Sequence, residues 1–268
     1  MAASGGALPT INIAHARAGR PRPFGRAYTP AMELRGASAL VTGAGRGIGR
    51  AIATALGRAG VAVTGVSRTA SELDSLVREI AGAGGHAVAH PGDVRDPAVC
   101  AAALAHAREA HGRLQILVNN AGVGAHTPVA QMSDEEWARI VDTNLSAVFR
   151  LTRAAVPQLS DGGGHVFMIS SLAGTNAIEG MAAYCASKAG LDHFARCLML
   201  EVRHQGVKVT TIAPGSVDTG FGGSRSGDAG WMLRPDDVAA AVLDLLRTRD
   251  EAHLSRVEMR PLRPARRT

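Results

Sequence analysis

Hydrophobic and polar positions follow two alternating periods from residue 37 onward. Short apolar runs predict seven buried strands, at Ala37–Thr42, Val61–Val66, His86–His90, Leu114–Asn119, His165–Ser170, Val207–Ala213 and Arg256–Arg260. Between them lie stretches with helical periodicity, near 47–59, 71–82, 96–111, 133–160, 181–203 and 235–248. Because parallel strands need long crossovers, this alternation predicts a single-domain, Rossmann-like α/β fold, a doubly wound sheet of about seven parallel strands with helices on both faces.

Start and stop signals refine this picture. The stretch 133–160 opens with Ser133 and carries Glu136 three residues later, which predicts a capping box in which each side chain satisfies the other's backbone amide.

Residues 1–32 are rich in Gly, Pro, Ala and Arg, so we expect a disordered or dispensable leader. An organelle transit peptide and a working start at Met32 are the alternatives. The catalytic domain then spans 33–262, and a basic tail follows at 263–268.

The formal net charge of +6 is concentrated at the two ends of the chain. Residues 1–32 and 256–268 each carry +4, so the body at 33–255 carries −2. A mildly acidic body argues against nucleic acid as a partner. No apolar run reaches the ~18 residues of a membrane span, and three cysteines without a CxxC pair indicate a reduced compartment and no metal site. We therefore expect a cytoplasmic protein without a membrane partner.

The first strand runs directly into a glycine-rich loop and a helix. The segment reads Thr42-Gly43-Ala44-Gly45-Arg46-Gly47-Ile48-Gly49. Gly43 permits the sharp turn, Gly47 lets the backbone approach a pyrophosphate, and Gly49 brings the helix against the sheet. The amides at the N-terminus of the helix then favour phosphate. The segment predicts a dinucleotide site.

The spacing TGxxxGxG resembles the short-chain dehydrogenase/reductase family, and further motifs follow in that family's order. Asp93-Val94 resembles its adenine-contacting pair, and Asn119-Asn120-Ala121-Gly122 resembles its NNAG segment. The segments SSLAG, YCASK and PGSVDT complete the resemblance. It implies cofactor contacts from Gly43, Arg46, Gly47, Ile48, Gly49, Asp93, Val94, Asn120, Ala121, Gly122, Tyr184, Lys188, Pro214, Gly215, Val217 and Thr219.

The residues after the second strand indicate which dinucleotide is bound. A carboxylate there would hold the 2′-hydroxyl of NAD, but the chain reads Ser67-Arg68-Thr69. Arg68 and Arg46 can meet a 2′-phosphate from two sides, and the hydroxyls of Ser67 and Thr69 can add hydrogen bonds. The sequence therefore predicts NADP(H).

Tyr184 and Lys188 stand four residues apart in a helical stretch, so both project from one face. A lysine cation nearby is expected to lower the tyrosine pKa from its reference value of ~10 toward working pH. The family resemblance further implies that Lys188 binds the nicotinamide ribose. Ser171, thirteen residues before Tyr184, resembles the substrate-orienting serine better than Ser170 does. Asn144 resembles the asparagine that sustains a water chain to the lysine.

Together these residues predict an oxidoreductase that transfers a hydride between NADP(H) and a small-molecule carbonyl compound or secondary alcohol, with Tyr184 as general acid/base. The alternatives are an NAD-dependent secondary alcohol dehydrogenase, a 3-oxoacyl-(acyl-carrier-protein) reductase, and a non-catalytic dinucleotide sensor of the same fold. The ending Ser255–Leu262 departs from the Gly-rich ending usual in the carrier-protein reductases. The stretch Val61–Ile80 looks locally like dicarbonyl and xylulose reductases.

Two further expectations concern assembly and substrate size. Apolar residues in the stretches 133–160 and 181–203 predict a homodimer or homotetramer, namely Trp137, Ile140, Phe149, Leu151, Leu191, Phe194, Leu198 and Met199. The short, glycine-rich segment after Thr219 predicts an open, weakly selective pocket for medium-sized ketones or aldehydes, edged by Phe221, Trp231 and Met232.

Overall fold

The protein is described here from a computed structural model, which covers residues 32–221 and 230–263. The predicted leader, apart from Met32, lies outside the described residues. So do the predicted basic tail, apart from Arg263, and positions 222–229 of the glycine-rich segment.

Seven parallel strands form one sheet in the order β3-β2-β1-β4-β5-β6-β7. They are β1 (Ser38–Thr42), β2 (Ala62–Ser67), β3 (Ala87–Pro91), β4 (Ile116–Asn119), β5 (Gly164–Ile169), β6 (Val207–Pro214) and β7 (Arg256–Met259). The predicted strand set and the doubly wound fold are confirmed. The chain winds outward in both directions from β1 and β4, which leaves a crevice beyond their carboxyl ends.

Helices cover both faces of the sheet. They are α1 (Gly47–Arg58), α2 (Ala70–Gly82), α3 (Pro97–His111), α4 (Asp134–Val141), α5 (Ala147–Ser160), α6 (Ala182–Val202) and α7 (Pro235–Leu246). One hydrophobic core includes Ile52 of α1 and Val242 of α7. The other includes Leu104 of α3, Leu151 of α5 and Leu191 of α6. Burying such side chains from water contributes ~1.5–3 kcal/mol each, so the two cores hold the crevice in place.

The predicted stretch 133–160 is continuous in the structure but is not one regular α-helix. A π-helical turn at Asp142–Ser146 separates α4 from α5 and contains Asn144. The capping box forms only in part: the Ser133 hydroxyl accepts a hydrogen bond from the amide of Glu136 (3.1 Å), but the Glu136 carboxylate accepts one from the Thr127 hydroxyl (3.2 Å). Glu136 therefore ties the start of the helix to the loop before it.

The apolar residues expected at a subunit interface divide into two groups. Ile140, Leu151, Leu191 and Leu198 are buried in the chain's own core, so that part of the expectation was wrong. Trp137 and Phe149 are exposed, whereas Phe194 and Met199 are half-buried.

No helix in residues 32–221 and 230–263 is long and apolar enough to cross a membrane. Nor do three or more His, Cys, Asp or Glu side chains gather there in a way that could hold a metal ion.

A buried histidine lies at the start of β5. The His165 ring stacks on Phe167 with 4.0 Å between centroids, and its Nε2 lies 2.9 Å from the Thr210 hydroxyl oxygen. That hydroxyl donates its proton to the Leu254 carbonyl (2.7 Å), so it accepts from His165, which places the imidazole proton on Nε2. Burial lowers the pKa of His165 to about 3.

This histidine predicts an acid-dependent loss of stability. In the unfolded chain the His165 imidazole takes up a proton as the pH falls through its ordinary pKa of 6.5, whereas in the folded chain it stays neutral down to about 3. Its contribution is therefore fully present above pH 6.5 and is lost as the pH falls toward 3, amounting to ~2 kcal/mol by pH 5. Urea unfolding at pH 7 and pH 5 measures this loss.

The matched variants are His165→Gln, which keeps a side-chain N–H donor, and His193→Gln at an exposed position of α6. We expect the pH 7-to-5 difference in unfolding free energy to shrink by ~2 kcal/mol in the first variant. It should equal the wild-type difference in the second. An undiminished difference in His165→Gln would contradict the assignment.

Candidate active site

A cavity of about 340 Å³ lies beyond the carboxyl ends of the strands, at the crevice between β1 and β4. Almost every residue predicted for the site lines it, namely Gly43, Arg46, Gly47, Ile48, Ser67, Arg68, Thr69, Asp93, Val94, Asn120, Ala121, Gly122, Ser171, Tyr184, Lys188, Pro214, Gly215, Val217 and Thr219. Gly49 and Asn144 are not among the lining residues of this cavity. The fold therefore brings the two predicted centres, phosphate loop and catalytic group, to one cavity.

The glycine loop connects β1 to α1 at the floor of this cavity. Gly43 and Gly47 adopt positive φ angles of 65° and 56°, a region that disfavours side chains. Gly49 lies on the other side, where a Cβ would overlap the carbonyl oxygen of Gly43. Arg46 is the N-cap of α1 but makes no side-chain hydrogen bond to the helix. The first amides of α1 can therefore serve a pyrophosphate.

The NNAG segment locks the loop to β4. The Thr42 hydroxyl accepts hydrogen bonds from the amides of Asn120 and Ala121, both at 3.0 Å. The Asn120 side chain donates to the carbonyl oxygens of Thr42 (2.9 Å) and Gly43 (3.3 Å). Asn120 therefore stabilises the glycine turn from the neighbouring strand and does not depend on a ligand for its partners.

The residues expected to select the dinucleotide lie together at one end of the cavity. The Ser67 hydroxyl accepts a hydrogen bond from the amide of Thr69 (3.3 Å), which shapes the turn that carries Arg68. No hydrogen bond or ion pair of the Arg46 or Arg68 guanidinium is found within residues 32–221 and 230–263. Two cations and two hydroxyl residues at this end fit a phosphate on the ribose.

One acid at this end was missed by the sequence analysis. Glu72, in the first turn of α2, lines the cavity and places its carboxylate directly over Gly45 and beside Ser67. The sequence analysis considered an acid only at the end of the second strand, whereas Glu72 lies in the following helix, five residues later. Its position in the first turn of a helix was the available signal, since Asp and Glu favour that turn.

A second residue that the sequence analysis missed lies beside Asp93-Val94, the pair expected to contact adenine. Arg95 forms an ion pair with Asp93 (2.7 Å) and lines the same cavity. The hydrogen bond from Arg95 holds the pKa of Asp93 below its usual value, despite partial burial. Asp93 is therefore an anion over the whole neutral range. The signal was the charge pair Asp-x-Arg in the strand-to-helix loop.

Tyr184, Ser171 and Lys188 meet at the other end of the cavity. Ser171, just beyond β5, interacts with Tyr184 in the direction that lowers the pKa of the phenol, and its hydroxyl accepts a hydrogen bond from the amide of Ala173 (3.1 Å). Lys188 lies one turn after Tyr184 in α6, with its Nζ 5.7 Å from the tyrosine ring centroid. That Nζ donates to the carbonyl oxygen of Ile169 (2.8 Å). The three side chains form one connected group.

The electrostatics of this group differ from the expectation. Burial raises the pKa of Tyr184, and the interaction with Ser171 only partly opposes this, so the lowered pKa predicted from the sequence was wrong for the protein alone. Burial also lowers the pKa of Lys188 to about 8, against the opposing charge of Asp192. Spacing along a helix fixed which residues meet, but their burial comes from packing against the rest of the fold.

Asn144 is fully buried in the π-helical turn and acts on the backbone. Its Oδ1 accepts from the amide of Val123 (2.8 Å), while its Nδ2 donates to the Val123 carbonyl (2.9 Å) and to the Ser187 hydroxyl (3.0 Å). The side chain thereby holds the segment after β4 against α6. The water chain that the resemblance implies at Asn144 stays a prediction.

Ser170 also faces the cavity. It is 4% exposed, and its hydroxyl makes no hydrogen bond within the described residues. An unpartnered buried hydroxyl at the wall of a ligand cavity fits a polar group of a bound cofactor or substrate. The carboxamide of a nicotinamide ring is a group of that kind.

An aromatic side chain borders the catalytic tyrosine. The Phe221 and Tyr184 rings lie 5.6 Å apart, and a Cβ on Gly124 would lie 3.0 Å from the Phe221 ring. Phe221 lines the cavity, as expected of its apolar edge. Trp231 and Met232 are not among the lining residues of this cavity.

Comparison with known proteins places this arrangement in a wider group. The family model described as short chain dehydrogenase matches residues 37–229. The 3-oxoacyl-(acyl-carrier-protein) reductase FabG of Escherichia coli is 40% identical over 189 residues, covering 70% of this chain and 76% of that protein. The D-erythrulose reductase of Gallus gallus is 35% identical over 231 residues, covering 81% and 91%.

Solved structures agree with these sequence relatives. A metagenomic short-chain oxidoreductase in complex with NADP is 38% identical, with a TM-score of 0.77, covering 87% of this chain and 100% of that one. An alcohol dehydrogenase from Thermococcus sibiricus, complexed with 5-hydroxy-NADP, is 29% identical, with a TM-score of 0.81 and coverage of 86% and 99%. A short chain dehydrogenase from Mycobacterium paratuberculosis, bound to NAD, is 26% identical, with a TM-score of 0.78 and coverage of 85% and 97%.

Proposed function

The chain belongs to the short-chain dehydrogenase/reductase family, and we propose that it is an NADP(H)-dependent reductase of small-molecule ketones or aldehydes. The observation that most supports this proposal is the connected group of Ser171, Tyr184 and Lys188 in the cavity that also contains the glycine loop. A dinucleotide sensor without catalysis would not need a half-buried tyrosine that interacts with a serine and lies beside a buried lysine.

Each side chain has a role in this proposal. The bound nicotinamide ring supplies or accepts the hydride. The Ser171 hydroxyl orients the substrate oxygen, and the Tyr184 phenol donates its proton to that oxygen during reduction. The Lys188 ammonium favours the phenolate that remains. Asn144 holds the backbone between β4 and α6 so that the substrate faces Tyr184.

The protonation state of Tyr184 suits carbonyl reduction at neutral pH. Burial raises the pKa of Tyr184, so the phenol is protonated at neutral pH. A protonated phenol is the form that reduction of a carbonyl requires, whereas alcohol oxidation requires the phenolate. Oxidation of the matching secondary alcohol should therefore gain rate as the pH rises.

The preference for NADP(H) is supported by Arg46 and Arg68, whose guanidinium groups lie beside the cavity with Ser67 and Thr69. Solved relatives bind either NADP or NAD, so the choice depends on this chain's own residues. The carboxylate of Glu72 acts against a 2′-phosphate, because two anions at close range repel each other.

Arg68→Asp should shift the cofactor preference from NADP(H) toward NAD(H). The change removes a charge-assisted donor to the 2′-phosphate and supplies an acceptor for the 2′-hydroxyl. We therefore expect kcat/KM with NADPH divided by kcat/KM with NADH to fall by about 100-fold or more. Steady-state kinetics with each cofactor at a fixed carbonyl substrate measure this ratio.

Glu72→Gln is the matched control for Arg68→Asp. It removes a carboxylate from the same end of the cavity, so the ratio should move in the opposite direction or stay constant. A ratio that is unchanged in Arg68→Asp would assign recognition to Arg46 and the two hydroxyl residues.

A second candidate function is reduction of a 3-oxoacyl group on acyl carrier protein. The 40% identity to FabG favours it, whereas the D-erythrulose reductase relative favours a free small ketone. The experiment that separates these is NADPH consumption on a panel of free ketones, aldehydes and dicarbonyls beside a 3-oxoacyl group on acyl carrier protein. Turnover confined to the carrier-bound substrate would replace our first choice, and no turnover on the whole panel would refute the function.

The homodimer or homotetramer stays a prediction. After the buried residues are removed from the expected set, exposed apolar side chains on α4, α5 and α6 still support it, namely Trp137, Phe149 and Leu200. A broad choice of medium-sized ketones and aldehydes also stays a prediction, supported by the exposed ring of Phe221 at the cavity.

A further inference from the structure

A buried acid lies one turn beyond the lysine of the catalytic group. Asp192 follows Lys188 by four residues in α6, so the two side chains share one face of the helix. Asp192 is 6% exposed and Lys188 is 4% exposed. Two opposite charges on one buried face interact more strongly than they would at the surface.

The carboxylate of Asp192 is held from the opposite side by the last strand. Its Oδ2 forms an ion pair with Nη1 of Arg256, at the start of β7 (2.6 Å). Its Oδ1 accepts no hydrogen bond within the described residues. Arg256 shares its positive charge between two carboxylates, because it also forms an ion pair with Glu258 (3.1 Å). The negative charge of Asp192 is therefore only partly neutralised by the strand and remains available to Lys188.

The turn after Ser171 packs against the carboxylate of Asp192. A Cβ on Gly174 would lie 2.6 Å from Oδ2 of Asp192 and 3.1 Å from the carbonyl oxygen of Lys188. The backbone at Gly174 therefore packs directly on Asp192, and a residue with a Cβ at this position would overlap the carboxylate. The turn that begins at the substrate-orienting serine thus ends against the acid behind the lysine.

We propose that Asp192, held by Arg256 from β7, is a positioning residue that keeps the Lys188 ammonium charged beside Tyr184. The inference rests on the proposed function. Arg256 lies outside residues 37–229, which the family model matches, whereas Asp192 lies within them.

Other charged groups do not replace Asp192. On α6 itself, the titratable side chains three or four residues from Lys188 are Tyr184, Cys185 and Asp192, and of these only the carboxylate of Asp192 brings a negative charge to the lysine. The turn Leu172–Gly174 carries no charge, and β5 offers Lys188 the Ile169 carbonyl. The π-helical turn offers the neutral Asn144, while its Asp142 acts on Arg95. Burial lowers the pKa of Lys188 to about 8, and Asp192 is the group that opposes this.

The chain allows a direct measurement, because Lys188 and Lys208 are its only lysines. Full-length protein labelled with carbon-13 in lysine should show two lysine Cε resonances, which Lys208→Arg assigns. Lys208 pairs with Asp250 (3.5 Å) at the far end of the sheet and serves as the internal control. Titration of these resonances follows each ammonium without cofactor or substrate.

Three variants give signed expectations. Asp192→Asn should lower the pKa of Lys188 by about one unit or more, because the opposing charge is gone. Arg256→Gln should raise it, because the carboxylate then acts on the lysine without a competing cation. Glu258→Gln, which removes the second carboxylate from Arg256 and leaves its charge to Asp192, should lower it by less than Asp192→Asn does. A disturbance of packing alone would not move one resonance in opposite directions in two variants.

The pH profile of carbonyl reduction should shift in the same directions as the pKa of Lys188. Lys188 loses its proton at lower pH in Asp192→Asn, so the alkaline limb of kcat/KM should move to lower pH by a similar shift, and to higher pH in Arg256→Gln. If Asp192→Asn does not fold, Arg256→Gln alone decides: a lowered or constant Lys188 pKa overturns the proposal.

A Lys188 titration that moves by less than about 0.3 unit in Asp192→Asn likewise overturns this inference. With normal turnover by the wild-type protein, that result leaves the proposed function intact. Failure of the wild-type protein to reduce any carbonyl compound overturns the proposed function instead, whatever the titration shows.

Discussion

Replacing Tyr184 with phenylalanine should lower kcat for carbonyl reduction by ~10²–10⁴-fold, the usual contribution of a positioned acid/base group. The phenylalanine ring can keep the contact with Phe221, at 5.6 Å between centroids, but it has no hydroxyl to donate a proton or to interact with Ser171. NADPH binding, followed by the fluorescence of the bound cofactor, should change little.

Cys185→Ala is the matched control for this variant. Cys185 is the next residue in α6, is half-buried, and its sulfur lies 3.8 Å from the carbonyl oxygen of Asn176. Its removal changes the packing of the same helical turn without touching the acid/base group, so most of kcat should remain. Retention of more than about a tenth of kcat in Tyr184→Phe would assign the proton transfer elsewhere.

The pH dependence of this variant separates two explanations. The wild-type rate of alcohol oxidation should rise with pH, because burial keeps the Tyr184 phenol protonated at neutral pH. Tyr184→Phe should lose that rise together with its activity. A residual activity that still rises with pH would indicate that hydroxide or another side chain takes the proton.

Local patterns in the sequence predicted the fold and most of the cavity. The glycine loop follows a buried strand and opens a helix, so its place at the carboxyl edge of the sheet follows from chain connectivity alone. The four-residue spacing of Tyr184 and Lys188 likewise fixes their common face. Such features depend on a few neighbouring residues, and the structure confirms them.

Features that depend on contacts distant in sequence were not predictable. Glu72 reaches the glycine loop from a separate helix. The ion pair of Asp192 with Arg256 joins residues 64 positions apart. The direction of the Tyr184 pKa depends on how deeply the fold buries the phenol. The π-helical turn at Asn144 gave no recognised signal in the sequence, since the apolar period runs through it.

Gly49→Ala should be the most damaging single-methyl change in the cofactor loop. A Cβ at this position would overlap the carbonyl oxygen of Gly43, would lie 2.8 Å from its carbonyl carbon, and would overlap the side-chain nitrogen of Asn120. These atoms belong to the glycine turn, which the hydrogen bonds from Asn120 to Thr42 and Gly43 hold in place. They cannot move without opening the turn, so α1 must move away from the sheet.

The expected result is a loss of ~2–4 kcal/mol in the free energy of unfolding, comparable to severe overpacking of a core, together with loss of NADPH binding. Urea unfolding and cofactor fluorescence measure the two effects. Gly82→Ala is the matched control, because a Cβ on this last residue of α2 meets no atom within 4 Å. Alanine suits a helix better than glycine, so the control should be as stable as the wild-type protein or up to ~1 kcal/mol more stable. Wild-type stability and binding in Gly49→Ala would show that α1 does not pack against the Gly43 turn as described.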